Sequence, residues 1–217
     1  MDALLGLVKP GPQDLIVTLG DYVSRGPDSR GVMDRLVRLS KGGRLVALRG
    51  NHEQMMMDAR ESPGDLEMWT RCGGDAALRS YATIDEEGNL ADVPDEHWHF
   101  LDHFCLNYHE TATHIFVHAG LYPEMPMHEQ PIYLLRWEFF NDPPPHESGK
   151  VMVCGHTPQR DGRPRNIGHA ICIDTGVGKP GGWLTCLEAE SGRIYQANQA
   201  GETRTGWADE FLVERGR

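Results

Sequence analysis

Short apolar runs alternate with amphipathic segments in the first part of this chain, which predicts strands and helices in turn around a buried sheet. The clearest strands are residues 15–19 and 44–48. Between them, apolar residues recur at near-helical spacing over residues 32–39, with Ser29 as a candidate N-cap and Lys41-Gly42-Gly43 as a stop signal. Together these segments predict a βαβ unit.

The length and pattern of the whole chain predict one α/β domain over residues 1–217. Residues 2–9 predict a first helix that no strand precedes. From about residue 53 to residue 112 the composition is polar and helical, which predicts a helical cap inserted beside the site. Later strands are predicted at residues 113–117, 151–154, 170–173, 183–187 and 194–196, and the tail after Gly201 is too polar to assign.

Charge and cysteine usage narrow the classes of function. The net charge of -11 leaves no basic stripe, so nucleic acid is not an expected partner. No stretch approaches the roughly 18 apolar residues of a membrane span, so no membrane partner is expected. The 5 cysteines are odd in number and scattered, which favours reduced thiols and a cytoplasmic location. An anionic small molecule can still bind, because a metal and a few arginines set the local field.

Four motifs carry candidate chemistry, and two of them directly follow the predicted strands of the βαβ unit. Their joint occurrence, order and spacing resemble the calcineurin-like metallophosphoesterases, in the branch of serine/threonine protein phosphatases and symmetrical diadenosine tetraphosphatases. The resemblance implies an α/β fold, a four-layer metallophosphoesterase-like β-sandwich flanked by helices. The motifs are Gly20-Asp21-Tyr22-Val23-Ser24-Arg25-Gly26, Arg49-Gly50-Asn51-His52-Glu53, Val117-His118-Ala119-Gly120-Leu121 and Cys154-Gly155-His156-Thr157-Pro158.

The resemblance implies a site for two divalent cations about 3.5–4 Å apart, which share a hydroxide that attacks the clamped phosphorus in line. Asp21 matches the carboxylate that bridges both cations. Asn51, His118 and His156 match the remaining ligands of the second cation. This N/O set is typical of manganese, which is the expected metal, with iron or zinc as alternatives.

Three further residues match substrate-handling positions of the family. Arg25 matches the arginine whose planar fork holds phosphate oxygens. His52 matches the general acid that protonates the leaving alkoxide. Asn51 is also a candidate substrate contact, and Arg136 is a looser match to a second phosphate arginine.

The sequence departs from the family pattern at two places. The motif Gly-Asp-x-His-Gly is absent, so Asp21 is the only candidate ligand for the first cation, and we expect that site to be defective. Either the chain is a natural variant that lacks this motif or its start was assigned too late, and we favour the second alternative. In addition, Ser24 stands where the family carries an aspartate that orients the general acid. A serine cannot hold His52 as an imidazolium as a carboxylate does, so we expect slow turnover.

Two functions from different classes remain open. One is a metal-dependent phosphoester hydrolase acting on phosphoproteins or dinucleoside polyphosphates. The other is a catalytically inactive pseudophosphatase that binds phosphate-containing ligands. Trp69, Trp98 and Trp137 could stack an adenine, although core or cap packing is the more typical role of such residues.

Overall fold

The chain is described by a computed structural model over residues 1–83 and 88–213. It divides into two compact units, of which one comprises Met1–Asp14 with Asn107–Arg217 and the other comprises Leu15–Leu106. The single domain predicted over residues 1–217 stays a prediction. Among the described residues, no helix combines the length and the apolar character that crossing a bilayer would need.

Seven α-helices and ten strands occur in the described part of the chain. The helices are α1 (Asp2–Val8), α2 (Ser29–Lys41), α3 (Asn51–Asp58), α4 (Pro63–Trp69), α5 (Asp75–Tyr81), α6 (Asp95–His99) and α7 (Ile132–Trp137). The strands are β1 (Ile16–Thr18), β2 (Leu45–Ala47), β3 (Tyr108–Glu110), β4 (His114–Val117), β5 (Val151–Cys154), β6 (Arg165–Asn166), β7 (Ala170–Cys172), β8 (Trp183–Glu188), β9 (Arg193–Asn198) and β10 (Thr203–Trp207). Single π-helical turns, Thr70–Gly74 and Phe100–Phe104, directly follow α4 and α6.

The unit Leu15–Leu106 opens with the predicted βαβ arrangement. Strands β1 and β2 are parallel neighbours, with Val17 opposite Val46, and α2 connects them. The helix cap differs from the prediction. Asp28 is the N-cap, because its carboxylate accepts a 2.8 Å hydrogen bond from the Gly31 N–H, whereas Ser29 is the first helical residue. Because β1 and β2 are parallel, the two loops that carry the motifs begin at the same end of the strand pair.

The large side chains of Met33, Leu36 and Trp69 are buried in this unit, where α2 packs against α5 and α6 and α3 packs against α4. A polar link through the buried His97 joins three of these helices. The His97 ring lies 2.9 Å from the Tyr81 hydroxyl through Nδ1 and 2.9 Å from the Asp34 carboxylate through Nε2. Burial lowers the pKa of His97, so its neutral form is favoured in the folded chain.

The other unit contains a five-stranded mixed sheet and a three-stranded antiparallel sheet. The larger has the order β3-β4-β5-β7-β6, and its central strands β4, β5 and β7 are parallel. The smaller has the order β10-β9-β8, and α1 packs against β9. The core of the larger sheet includes Ile115, Val117, Met152 and Leu135. The five cysteines of the chain form no disulfide.

Each strand that the sequence predicts in this unit is present within a residue or two of the predicted bounds. Strands β3, β6 and β10 were not predicted. They lie at sheet edges and consist largely of polar residues, so they lack the apolar runs that mark buried strands. Strand β3 lies in the range assigned to the helical cap, whose last helical turn ends at Phe104.

Candidate active-site residues

The loop after β1 has an unusual backbone. Asp21, Ser24 and Arg25 have φ angles of 59°, 74° and 57°, the left-handed region that residues other than glycine seldom adopt. Each such conformation costs on the order of 1–3 kcal/mol and persists only where the surroundings fix it. The contacts that fix this loop come from Glu53, Trp69 and Gly73.

Glu53 joins the two motif loops of this unit. Its carboxylate is completely buried and accepts hydrogen bonds from the backbone N–H groups of Asp21 at 2.8 Å, Tyr22 at 2.7 Å and Gly50 at 2.8 Å. A longer bond of 3.3 Å comes from the Val23 N–H. Hydrogen bonds to an ionised acceptor are roughly twice as strong as neutral ones. Glu53 therefore fixes the Asp21 loop against the first turn of α3.

Sequence reasoning did not assign a role to Glu53. The signal that could have revealed it is its place three residues after Gly50, where a helix-starting glutamate reaches back to the N-cap N–H. The contacts with the Asp21 loop join residues 31 and 32 positions apart, so no local pattern announces them.

Asn51 and His52 are the first residues of α3, and both are buried, with exposed fractions of 6% and 2%. The His52 N–H donates to the Asp21 carboxylate at 3.3 Å. Three predicted site residues thus meet at the carboxyl ends of β1 and β2. The strand pair below them is braced by Tyr22, whose hydroxyl donates to the Leu48 carbonyl at 2.6 Å.

Ser24 is bonded to the helical part of the unit. Its hydroxyl accepts a 2.9 Å hydrogen bond from the indole Nε1–H of Trp69, which is completely buried. The neighbouring Arg25 N–H donates to the Gly73 carbonyl at 2.9 Å. Arg25 itself is exposed, and its role as a phosphate-binding residue stays a prediction.

The three candidate stacking tryptophans have different environments. Trp69 has no exposed surface for an adenine, so packing and hydrogen bonding are its role. The guanidinium of Arg60 lies over the Trp98 ring, 4.5 Å from its centroid. Trp137, at the end of α7, is 43% exposed.

The other unit holds the two histidine ligand candidates. His118 follows β4 and His156 follows β5, so both lie at the carboxyl ends of adjacent parallel strands. The Gly155 N–H donates to the His118 carbonyl at 2.8 Å, which ties the two loops together. His156 also has a left-handed backbone, with φ of 62°.

The geometry of the two imidazoles suits a cation. His118 Nε2 and His156 Nδ1 lie 3.2 Å apart. Two nitrogen ligands at about 2.1 Å from one metal, at a roughly tetrahedral angle, lie about 3.4 Å apart. This spacing also suits an N–H···N hydrogen bond in a metal-free chain. The residues therefore fit a divalent cation as a pair of nitrogen donors.

Arg136 is on α7 and is only 7% exposed. Its Nη2 donates to the Asn107 side-chain oxygen at 2.7 Å. The Ala119 N–H donates to the Leu135 carbonyl at 2.9 Å, which attaches α7 to the loop that carries His118. Its role as a second phosphate arginine stays a prediction.

Phe139 was not singled out by sequence reasoning. It is 61% exposed, and its ring lies 5.3 Å from that of His156 between centroids. The aromatic run at residues 137–140 is the signal that could have drawn attention to it. The structure thus places an exposed aromatic ring beside one of the candidate metal ligands.

The amino-acid sequence has relatives of known name. It is 32% identical over 175 residues to serine/threonine-protein phosphatase 1 of Salmonella typhimurium, covering 76% of this chain and 74% of the relative. It is also 33% identical over 106 residues to the symmetrical bis(5'-nucleosyl)-tetraphosphatase of Ralstonia nicotianae. That second match covers 49% of this chain and 32% of the relative.

The fold also matches solved structures. A crystal structure described as a candidate diadenosine tetraphosphatase has a TM-score of 0.57 and 18% identity, covering 95% of this chain and 86% of that one. The likeness confirms the predicted α/β metallophosphoesterase fold. The sequence model of the family described as calcineurin-like phosphoesterase matches residues 1–177. The chain therefore belongs to the calcineurin-like phosphoesterase family.

Proposed function

We propose that this chain is a divalent-metal-dependent hydrolase of phosphoesters, acting on phosphoproteins or dinucleoside polyphosphates. The observation that carries the proposal is the Glu53 network, which holds Asp21, Asn51 and His52 together at the ends of two parallel strands. A buried glutamate that orders a strained loop of polar side chains is typical of a functional site. Membership of the family supports the same chemistry.

The proposed ligands are Asp21, Asn51, His118 and His156, whose carboxylate, amide and imidazole groups suit manganese first, with iron or zinc as alternatives. A bound divalent cation supplies Lewis acidity toward a phosphoryl oxygen and toward water. The family normally uses two cations. Among these ligands, Asp21 is the carboxylate proposed to contact both cations.

The substrate-handling residues act on different atoms of the phosphoester. Arg25 presents its guanidinium fork to the non-bridging phosphate oxygens and so orients phosphorus for attack. His52 delivers a proton to the leaving oxygen as the P–O bond breaks, which avoids release of an alkoxide. Asn51 and Arg136 are proposed as further contacts to the phosphate.

Metal content and substrate competition test this proposal. The purified chain should retain manganese after dialysis has removed the free ion, as measured by elemental analysis. The variants Asp21→Asn and His118→Ala should retain less manganese. Glu129→Gln, at an exposed residue of the same chain, is the control. Equal manganese in all four proteins would contradict the proposed ligand set.

The two named relatives suggest different substrate classes, a phosphoprotein and a dinucleoside tetraphosphate. A phosphoserine peptide and diadenosine tetraphosphate, offered at equal concentration to the manganese-loaded chain, separate these classes by initial rate. We also propose that the chain acts in the cytoplasm, where its five free cysteines would stay reduced.

A second candidate function is phosphate binding without turnover. It is favoured by Ser24, whose hydroxyl accepts a hydrogen bond from Trp69 and carries no charge for His52. Orthophosphate binding by calorimetry, together with absent hydrolysis at saturating manganese, would support this candidate over the enzyme.

A further inference from the structure

We propose that Trp69 and Gly73 form a clamp on the Ser24-Arg25 turn, and that Trp69 is thereby a positioning residue for phosphate binding by Arg25. The inference rests on the proposed function, because it assigns to Arg25 the phosphate contact named above. Its structural part depends only on contacts within the unit Leu15–Leu106.

Two hydrogen bonds hold adjacent residues of the turn. The Trp69 indole N–H donates to the Ser24 hydroxyl at 2.9 Å, and the Arg25 N–H donates to the Gly73 carbonyl at 2.9 Å. One bond is to a side chain and the other to the backbone, so the turn is fixed at two successive positions. Their left-handed backbones, with φ of 74° and 57°, need such restraint to persist.

The close approach of the clamp depends on two glycines. A Cβ atom on Gly73 would lie 2.7 Å from Arg25 Cγ and 3.1 Å from its backbone nitrogen. A Cβ atom on Gly74 would lie 2.4 Å from the Trp69 ring. Gly73 also has φ of 102°, which only glycine adopts without strain. The Thr70–Gly74 turn is therefore shaped to touch both Trp69 and Arg25.

In the clamp, Ser24 accepts the Trp69 indole N–H, a role different from the orientation of a general acid that the family assigns to its aspartate. Trp69 is completely buried, so its N–H has no access to bulk water and needs an acceptor from the protein. The Ser24 hydroxyl supplies it. Loss of either partner leaves the turn with one restraint fewer, and the exposed Arg25 fork then samples orientations that do not meet phosphate.

The test compares Ser24→Ala and Trp69→Phe with the parent chain, and uses Trp207→Phe, at a 48% exposed tryptophan of β10, as the control. Calorimetry measures orthophosphate binding to the manganese-loaded proteins. Each variant should weaken binding about fivefold, as for loss of one buried hydrogen bond, and the double variant should be no weaker than the singles. KM for p-nitrophenyl phosphate should rise in proportion, whereas kcat should change less.

Hydrogen exchange of the Trp69 indole N–H, followed by two-dimensional NMR, tests the hydrogen bond without reference to activity. Exchange should be slow in the parent and faster in Ser24→Ala. If Trp69→Phe does not fold, the Ser24→Ala variant alone tests the proposal. Equal exchange in both would overturn the clamp.

Faster exchange in Ser24→Ala with unchanged phosphate affinity would confirm the Trp69–Ser24 hydrogen bond in the parent. It would overturn the role of that bond in positioning Arg25. A parent that binds no orthophosphate would contradict the proposed function itself. In that case the positioning role falls with it, whatever the exchange result.

Discussion

Buried charge at a single residue, Glu53, organises the loop that follows β1. Its carboxylate accepts hydrogen bonds from backbone N–H groups of the loop after β1 and of the loop after β2. A carboxylate has no donor of its own, so it can accept all of these bonds together, whereas a neutral amide offers only one oxygen acceptor. The position therefore requires an ionised glutamate.

We predict that Glu53→Gln lowers the free energy of unfolding by roughly 2–4 kcal/mol, because the amide NH₂ faces N–H donors and leaves buried groups unpaired. Chemical denaturation measures the change. Glu67→Gln, at an exposed glutamate of α4 with an ion pair to Arg71, is the matched control and should change stability by less than about 0.5 kcal/mol. Equal effects of the two substitutions would contradict the role of Glu53.

A second residue-scale prediction concerns the charge missing at Ser24. Ser24→Asp should raise kcat for p-nitrophenyl phosphate at least about tenfold, since a carboxylate stabilises the protonated form of His52 that acts as general acid. Aspartate tolerates the left-handed backbone found there, and one of its oxygens can still accept the Trp69 N–H. Ser24→Asn keeps the shape without the charge and is the control. An unchanged or lower rate in the aspartate variant removes this role for position 24.

At the scale of elements, α2, α5 and α6 are joined by the Asp34–His97–Tyr81 link, in which His97 and Tyr81 are buried. Burial lowers the pKa of His97, and burial also lowers that of His114 on β4. Both rings bind protons more readily in the unfolded chain than in the folded one. Stability is therefore fully present above the unfolded pKa of about 6.5 and declines as pH falls below it.

We predict that the free energy of unfolding decreases as the pH is lowered from about 7.5 to about 5.5, and that His97→Gln makes this decrease smaller. Denaturant titration at several pH values measures it. His128→Gln, at a 73% exposed histidine, serves as the control and should follow the parent. A pH dependence in the His97 variant as steep as that of the parent would show that this ring is not its source.

The sequence predicted elements with strong apolar periodicity and did not predict contacts between distant side chains. Strands β5 and β7 follow directly from their β-branched and apolar runs. The N-cap at Asp28 was misassigned by one residue, because aspartate and serine are both good caps and only the hydrogen bond decides between them. The Trp69–Ser24 bond joins residues 45 positions apart and has no local signature.

For the whole molecule, the four motifs predicted the family correctly because each residue type follows from the chemistry of its place at a strand end. Ligands for cations and forks for phosphate are confined to a few residue types, so their joint occurrence is specific. Glu53 belongs to the same motifs but acts through backbone groups, which is why its role became visible only in the structure.

Because the net charge is -11, we expect the proposed anionic substrate to be attracted by local groups and not by the overall field. We expect phosphate binding to fall when Arg25 is replaced by lysine, which keeps the charge but loses the planar fork. Calorimetry with orthophosphate, with Arg38→Lys on α2 as control, measures this directly. Equal affinity in the Arg25 variant and the parent would mean that Arg25 acts only as a charge.

The most direct test of the account is the rate at which the purified chain hydrolyses p-nitrophenyl phosphate with manganese, with the metal chelated, and in His156→Ala, using His128→Ala as control. The account predicts slow turnover that requires manganese, falls to the chelated level in His156→Ala and persists in the control. Turnover that survives chelation or the loss of His156, or no turnover under any condition, would contradict a metal-dependent phosphoester hydrolase.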